Sequence, residues 1–340
     1  MMKRSTSWSH DLLRKFGAFV VIVISSLYLS LFTKPTITTI RKTSLSERQF
    51  ASLIASKYGN ERILDGPICM MDGLCLVVKD FIWEHEGRTV FTRDLGANSI
   101  SMTTMNLKMP QKLDKANLDT SKWEVDQSSL DFTSYTITMI EEMFASGTVK
   151  IDFNADAQVL MIGIGGGYID SYLHKVYPKM NVTAVDMDQK MVDVAIKWFG
   201  LKMDNRHHVV VENGVEFVEN AVSRGAKFDV IHIDACTTEK NVDTNCPVNI
   251  FYTEESVRNF ATLLNPRGAV IVNVVTIKGD QIGAAEKVKK AFGKAFTECT
   301  YEYAPFSPSN IIMTCTQFQR PHGLKERYQK LMNYSTPEQT

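Results

Sequence analysis

The apolar run Val159-Leu160-Met161-Ile162 leads straight into the loop Gly163-Ile164-Gly165-Gly166-Gly167. Beyond it, 23 positions after Gly163, the run Thr183-Ala184-Val185 ends in Asp186. A strand that breaks into glycines, a helical pattern, and a second strand closed by a carboxylate form the first half of a nucleotide-binding βαβ unit. Glycine lets the backbone approach a ligand closely, and the acid can accept hydrogen bonds from both hydroxyls of a ribose.

The alternation continues along the chain, as expected of a parallel sheet covered on both faces. Strands are predicted at 158–162, 182–185, 208–211, 228–233 and 269–275, with helical patterns between them. Met191, Val192, Val194, Ala195, Trp198 and Phe199 form a helical stripe that stops at Gly200 and reads as core packing. Two closing strands, 297–303 and 310–317, are joined by a short return through Pro305 and Pro308, which turns the last strand antiparallel. The expected fold is therefore α/β and Rossmann-like, with a seven-stranded sheet. Ahead of it, runs at 74–78, 80–83 and 88–92 predict a small antiparallel β region. The expected organisation is a basic tail (1–15), a membrane anchor helix (16–33), a stem (34–66) with a helical patch at 47–58, a small β domain (67–122), the Rossmann-like domain (123–320) and a C-terminal tail (321–340).

The anchor is read from the uncharged run between Phe16 and Phe32. It sits at the lower limit for a spanning helix and exceeds the apolar core of a typical signal peptide. No good small-x-small cleavage site follows it. An uncleaved single-pass signal anchor in the endomembrane system is thus favoured over a cleaved signal. Lys3, Arg4, Arg14 and Lys15 precede the run, and Lys34, Arg41, Lys42 and Arg48 follow it. The comparison is nearly balanced, and the nearest pair favours a cytoplasmic N-terminus with a lumenal domain. The sequons Asn181-Val182-Thr183 and Asn333-Tyr334-Ser335 leave orientation open, the first falling in a predicted core strand.

Six cysteines (Cys69, Cys75, Cys236, Cys246, Cys299, Cys315) lack C-x-x-C spacing, which argues against a zinc knuckle. They read as buried free thiols in preference to a disulfide framework. His207-His208 reads as a solvated pair and His232 as a packed core histidine, so no metal is expected. Lys+Arg and Asp+Glu both number 38, and no basic stripe follows the first 50 residues, so nucleic acid is not an expected partner.

Other glycine-loop cofactors are disfavoured by detail. A dinucleotide fingerprint needs a small residue where Tyr168 stands, and no G-K-[ST] follows a glycine loop. The early bunching of glycines suits S-adenosylmethionine. The runs VLMIGIGGGYIDSYL, VTAVDMDQKMVDVAIKWFG, DNRHHVVVENGVEFV and KFDVIHIDA resemble the spermidine synthase-like branch of class I S-adenosylmethionine-dependent methyltransferases. Within that branch the likeness is greatest to the C-terminal domains of the methyltransferase-like 13 group, which methylate elongation factor 1-alpha. The resemblance implies that Gly163, Gly165 and Gly167 line the methionine moiety, that Asp186 binds the ribose and that Met187 packs on the adenine. It places Asn213-Gly214 beside the adenine amino group and Asp234 at the reacting centre. Similar folds dimerise through their N-terminal sheet, so a homodimer is an expectation of the likeness alone.

Several of these residues have plainer readings. Asp186 and Asp234 could be inert carboxylates, Asn213 a turn residue and Asp188 a helix N-cap. The branch also includes aminopropyltransferases, where strand four typically ends in Asp-x-x-Asp and an upstream Tyr is followed two places later by Glu. Here these read Asp234-Ala235-Cys236-Thr237 and Tyr135-Thr136-Ile137, so two acids that would serve a polycation are missing, with Glu239 or Asp243 of the following loop as their alternative source. Methyl transfer to a protein or small-molecule nucleophile is the favoured activity, with Asp234 orienting the acceptor. Aminopropyl transfer is the alternative, and a catalytically inactive, membrane-tethered interaction module is the competing class.

Overall fold

A computed structural model describes residues 45–333, apart from 86, 98–99, 131–133, 278 and 306. The expected tail at 1–15 and membrane anchor at 16–33 lie outside the described residues. Among those described, no helix is long and apolar enough to cross a membrane.

Helix α1 (Glu47–Tyr58) coincides with the helical patch expected in the stem. Ser46 and Gln49 cap it reciprocally, each side chain accepting the other's backbone N–H. Its Phe50 and Ile54 are buried, with Phe50 stacked 5.8 Å from Trp123, so this segment belongs to the fold and is not a free stem. Strands β1 (Glu61–Cys69), β2 (Cys75–His85), β3 (Arg88–Ala97) and β4 (Ile100–Asn106) form an antiparallel meander in the order β1-β2-β3-β4. Two of the expected runs merge into β2, where Leu76, Val78 and Asp80 face inward. Asp80 is tolerated there because Arg93 of β3 pairs with both its oxygens, at 2.8 and 3.1 Å. The same guanidinium donates to the carbonyls of Thr120, Trp123 and Trp198, which ties the small sheet to the larger domain.

The larger domain follows the expected alternation. Helix α2 (Thr136–Ala145) leads into β5 (Gln158–Ile162), α3 (Tyr168–Val176), β6 (Asn181–Asp186), α4 (Gln189–Phe199), β7 (His207–Val211), α5 (Gly214–Ser223) and β8 (Phe228–Ile233). Then come α6 (Glu254–Leu263), β9 (Leu264–Val274), α7 (Gln281–Phe292), β10 (Glu298–Ala304), β11 (Ser307–Thr316) and α8 (Leu324–Met332). The sheet order is β10-β11-β9-β8-β5-β6-β7, and β11 runs antiparallel to both β9 and β10. The period-2 alternation within β5 sends Val159 and Met161 to one core and Leu160 and Ile162 to the other. Helices α2, α3, α4 and α8 pack on the first face, and α5, α6 and α7 on the second. The stripe on α4 packs as expected, with Trp198 only partly buried; Asp188 caps its start and Gly200, at φ +70°, ends it.

Two readings are corrected. The cysteines are not free thiols: Cys69–Cys75, Cys236–Cys246 and Cys299–Cys315 are disulfides. Two of the three pairs are facing partners in antiparallel ladders, β1–β2 and β10–β11, a juxtaposition that residue spacing alone does not display. His207 is not solvated either. It is fully buried, with Nε2 2.9 Å from the Asp170 carboxylate, whereas His208 next to it is exposed because strand residues alternate faces. His232 is the buried core histidine expected.

Candidate active site at the ends of β5, β6 and β8

The chain reverses sheet direction between β8 and β5, so a crevice opens where the carboxyl ends of these strands diverge. Gly163 leaves β5 there at φ +88°, and a Cβ on it would lie 2.5 Å from the Asp234 carbonyl oxygen. Glycine is thus required at this position both by conformation and by the approach of the β8 end. Gly165 (φ +52°) and Gly166 press on Thr103 of β4, whose hydroxyl accepts the Gly166 N–H at 2.8 Å. Gly167 (φ +76°) starts α3 and packs against Leu201. Part of the glycine pattern therefore serves contacts within the chain. The Gly165 N–H has no partner among the described residues and remains available in the loop.

Asp186 closes β6 beside that loop. Its Oδ2 accepts the Ile164 N–H at 3.1 Å and its Oδ1 the Asp188 N–H at 2.9 Å. Burial holds its carboxyl above the usual range, against the downward pull of these amides. Each oxygen keeps a lone pair, so the group can still accept from a vicinal diol. Met187 beside it is 55% exposed, an apolar surface open to a ligand. Asp188 is the expected N-cap, accepting from Lys190 N at 2.9 Å; it also accepts from Met71 N at 2.6 Å, from the turn between β1 and β2.

Asn213 caps α5: its Oδ1 takes the Val215 N–H at 2.9 Å, the turn role weighed above. That oxygen keeps a second lone pair, and no bond is formed by Nδ2 among the described residues, so the side chain can still serve a ligand beside the cap. Gly214 is small because a Cβ would meet Ile162 and the Phe251 ring.

Asp234, immediately past β8, is half-buried. Tyr135 donates its hydroxyl to Oδ2 at 2.7 Å, and Asn273 of β9 donates Nδ2 to Oδ1 at 2.8 Å. Burial pushes the carboxyl up to about 6, opposed by both hydrogen bonds. The bracing continues outward: Asn310 of β11 donates to Asn273 Oδ1 at 2.9 Å, and Ser307 donates to Asn310 Oδ1 at 2.6 Å. The carboxylate only accepts, so this relay runs in one direction and fixes both amides. Sequence reasoning missed Tyr135, Asn273 and Asn310 as a group. The signal present was Tyr135 at the start of the family's Tyr-x-Glu pattern, even though its acid is Ile137 here.

The ligand atoms of Asp234, Cys236 and Cys246 lie within 4.8 Å of one another. Both sulfurs are committed to the disulfide, so this cluster offers a cation only one carboxylate.

Comparison with known proteins identifies relatives of this chain and of its fold. A family profile described as Spermine/spermidine synthase domain matches residues 138–320. A relative from Drosophila pseudoobscura pseudoobscura, named eEF1A lysine and N-terminal methyltransferase homolog, is 30% identical over 178 residues, which is 51% of this chain and 25% of the relative. The chain thus spans about a quarter of that relative's length. Human methyltransferase-like protein 13, solved in complex with SAH, superposes with a TM-score of 0.51 at 21% identity, covering 60% of this chain and 92% of that one. A probable spermidine synthase from Corynebacterium glutamicum superposes with a TM-score of 0.56 at 14% identity, covering 81% and 89%. At these identities the structural likeness is one of fold. With more than half its length matched by the profile, the chain belongs to the spermine/spermidine synthase domain family.

Proposed function

We propose that this chain transfers the methyl group of S-adenosylmethionine to an amine nucleophile presented at Asp234. The observation that carries the reading is the isolation of that carboxylate. Thr237 stands where aminopropyl-transferring members have a second acid, and its backbone is tied to Asn245. Ile137, at the other acid position, is buried in the core. Both positions that would carry further acids for a polycation are therefore neutral, whereas a single amine needs one carboxylate.

When bound, S-adenosylmethionine supplies a sulfonium-activated methyl group. Asp186 accepts from the ribose hydroxyls, Met187 packs on the adenine, Asn213 lies beside it, and the turn from Gly163 to Gly167 accommodates the methionine portion. Asp234 orients the acceptor and takes its proton through Oδ2, because Oδ1 is locked by the Asn273 amide. The Tyr135 hydroxyl can reverse from donor to acceptor once the proton arrives. With Asp234 at about 6, proton acceptance is uphill by about 2.5 kcal/mol from an α-amine and about 6 kcal/mol from a lysine, which favours the weaker base.

The names of the relatives support a protein acceptor, and the three disulfides suit an acceptor met in an oxidising compartment. An anchor at 16–33 would hold the domain beside a membrane; its support is the apolar run alone.

The test is incubation of the disulfide-intact chain with methyl-labelled S-adenosylmethionine and mixed acceptors, in parallel with decarboxylated S-adenosylmethionine and a diamine. Label in a protein or small amine is expected. Aminopropyl product would establish the polyamine alternative, and an absence of cofactor binding would favour the inactive module.

A further inference from the structure

The pairing of every cysteine and one unused sequon point to a feature independent of the methyl-transfer reading. We propose that this domain matures on the oxidising side of a membrane and carries one N-linked oligosaccharide, on Asn333.

All six cysteines are paired, and the pairs are spread over the molecule. Cys69–Cys75 closes the β1–β2 turn, Cys236–Cys246 ties the segment after β8, and Cys299–Cys315 bridges β10 and β11 with Cys315 fully buried. Three disulfides with no free thiol are the signature of a chain folded where thiols are oxidised, not of one kept reduced in cytosol. That compartment is also where Asn-x-Ser/Thr is an acceptor.

The two sequons differ sharply in access. Asn181 opens β6, its N–H is bonded to the Ala157 carbonyl and its Oδ1 is buried. Val182 and Thr183 are laddered between β5 and β7. A sugar on Asn181 would crowd the start of a strand that is paired on both sides. Asn333 ends α8 at φ 56° and ψ 43°, a left-handed conformation that asparagine tolerates, and it is exposed. Its side-chain amide has no partner among the described residues. The sequence continues Tyr334-Ser335, which completes the acceptor pattern without proline.

In the transfer, Asn333 Nδ2 forms a bond to the anomeric carbon of a polyisoprenyl-diphosphate-linked oligosaccharide. The bond from that carbon to the diphosphate oxygen breaks, the diphosphate carrier leaves with the electron pair, and Nδ2 loses one proton.

The experiment is expression of the full chain in a eukaryotic secretory host. Electrophoresis follows with and without an amidase that removes N-glycans, together with thiol alkylation before and after reduction. The expected result is a mobility increment of one glycan that the amidase removes. It should be absent from Asn333→Gln and Ser335→Ala and retained in Asn181→Gln. No cysteine should be alkylated until a reductant is added. An unshifted native chain, a shift that survives Asn333→Gln, or free thiols before reduction would each overturn the proposal.

Discussion

Asp186 and Asp234 lie at the ends of β6 and β8, the two strands that flank β5, yet they are held by different means. Asp186 is fixed by backbone amides of its own βαβ unit, from Ile164 and Asp188. Asp234 is fixed by side chains from remote elements, Tyr135 before α2 and Asn273 on β9, with Asn310 and Ser307 behind Asn273. Backbone amides cannot be mutated away or reverse their polarity, so they suit a group that must bind the same ligand each cycle. A hydroxyl can switch between donor and acceptor, which suits a carboxylate that gains and loses a proton. On the proposed reading, the difference separates a binding half of the site from a reacting half.

Gly163, where the two halves touch, offers the strongest way to disturb the arrangement. Gly163→Ala places a Cβ 2.5 Å from the Asp234 carbonyl at a positive φ. It should cost about 2–3 kcal/mol in urea unfolding and weaken cofactor binding and transfer together. A variant as stable as the parent would mean that the β5 and β8 ends are not packed this closely.

The reacting half can be tested alone through pH. In the proposed transfer Asp234 acts as its anion, so kcat/KM should rise with pH through a midpoint near 6. Tyr135→Phe and Asn273→Leu each remove a hydrogen bond to that anion, so the midpoint should move upward by about one unit in each variant. An unchanged or lowered midpoint would remove Asp234 as the titrating group.

A smaller effect concerns the core below this half. Neither ring nitrogen of His232 has a partner among the described residues, and burial lowers its pKa to about 3. The folded state keeps this ring neutral, so its contribution is present above the unfolded value near 6.5 and is lost as pH falls from there towards 3. His232→Leu should therefore flatten the decline of stability below pH 6.5, read by urea midpoints at successive pH values. An unaltered decline would show that His232 is hydrated in the native state.

The two halves also differ in how much the sequence displays. The binding half is written in short-range spacing: the glycine turn, Asp186 and the Asp188 cap all fall within one unit, and β5 and β8 occupy the residues expected. The reacting half is assembled by sheet order, which places β11 between β9 and β10 and brings Asn310 to Asn273 and Asn273 to Asp234. No local pattern marks a Tyr and an Asn that meet one carboxylate from 99 and 39 positions away. Two of the three disulfides escaped for the same reason, since facing cysteines in a ladder are neighbours by register and not by motif. His207 was misread because its partner Asp170 lies 37 positions away on α3.

The division between binding and reacting halves is tested most directly by calorimetric titration of S-adenosylhomocysteine into the disulfide-intact chain and two variants. Asp186→Ala should weaken binding by about two orders of magnitude, the cost of losing charge-assisted bonds to two ribose hydroxyls. Asp234→Asn should bind within about threefold of the parent, a difference below 1 kcal/mol. Equal losses in both variants, or a loss confined to Asp234→Asn, would contradict the assignment of the cofactor to the Asp186 side.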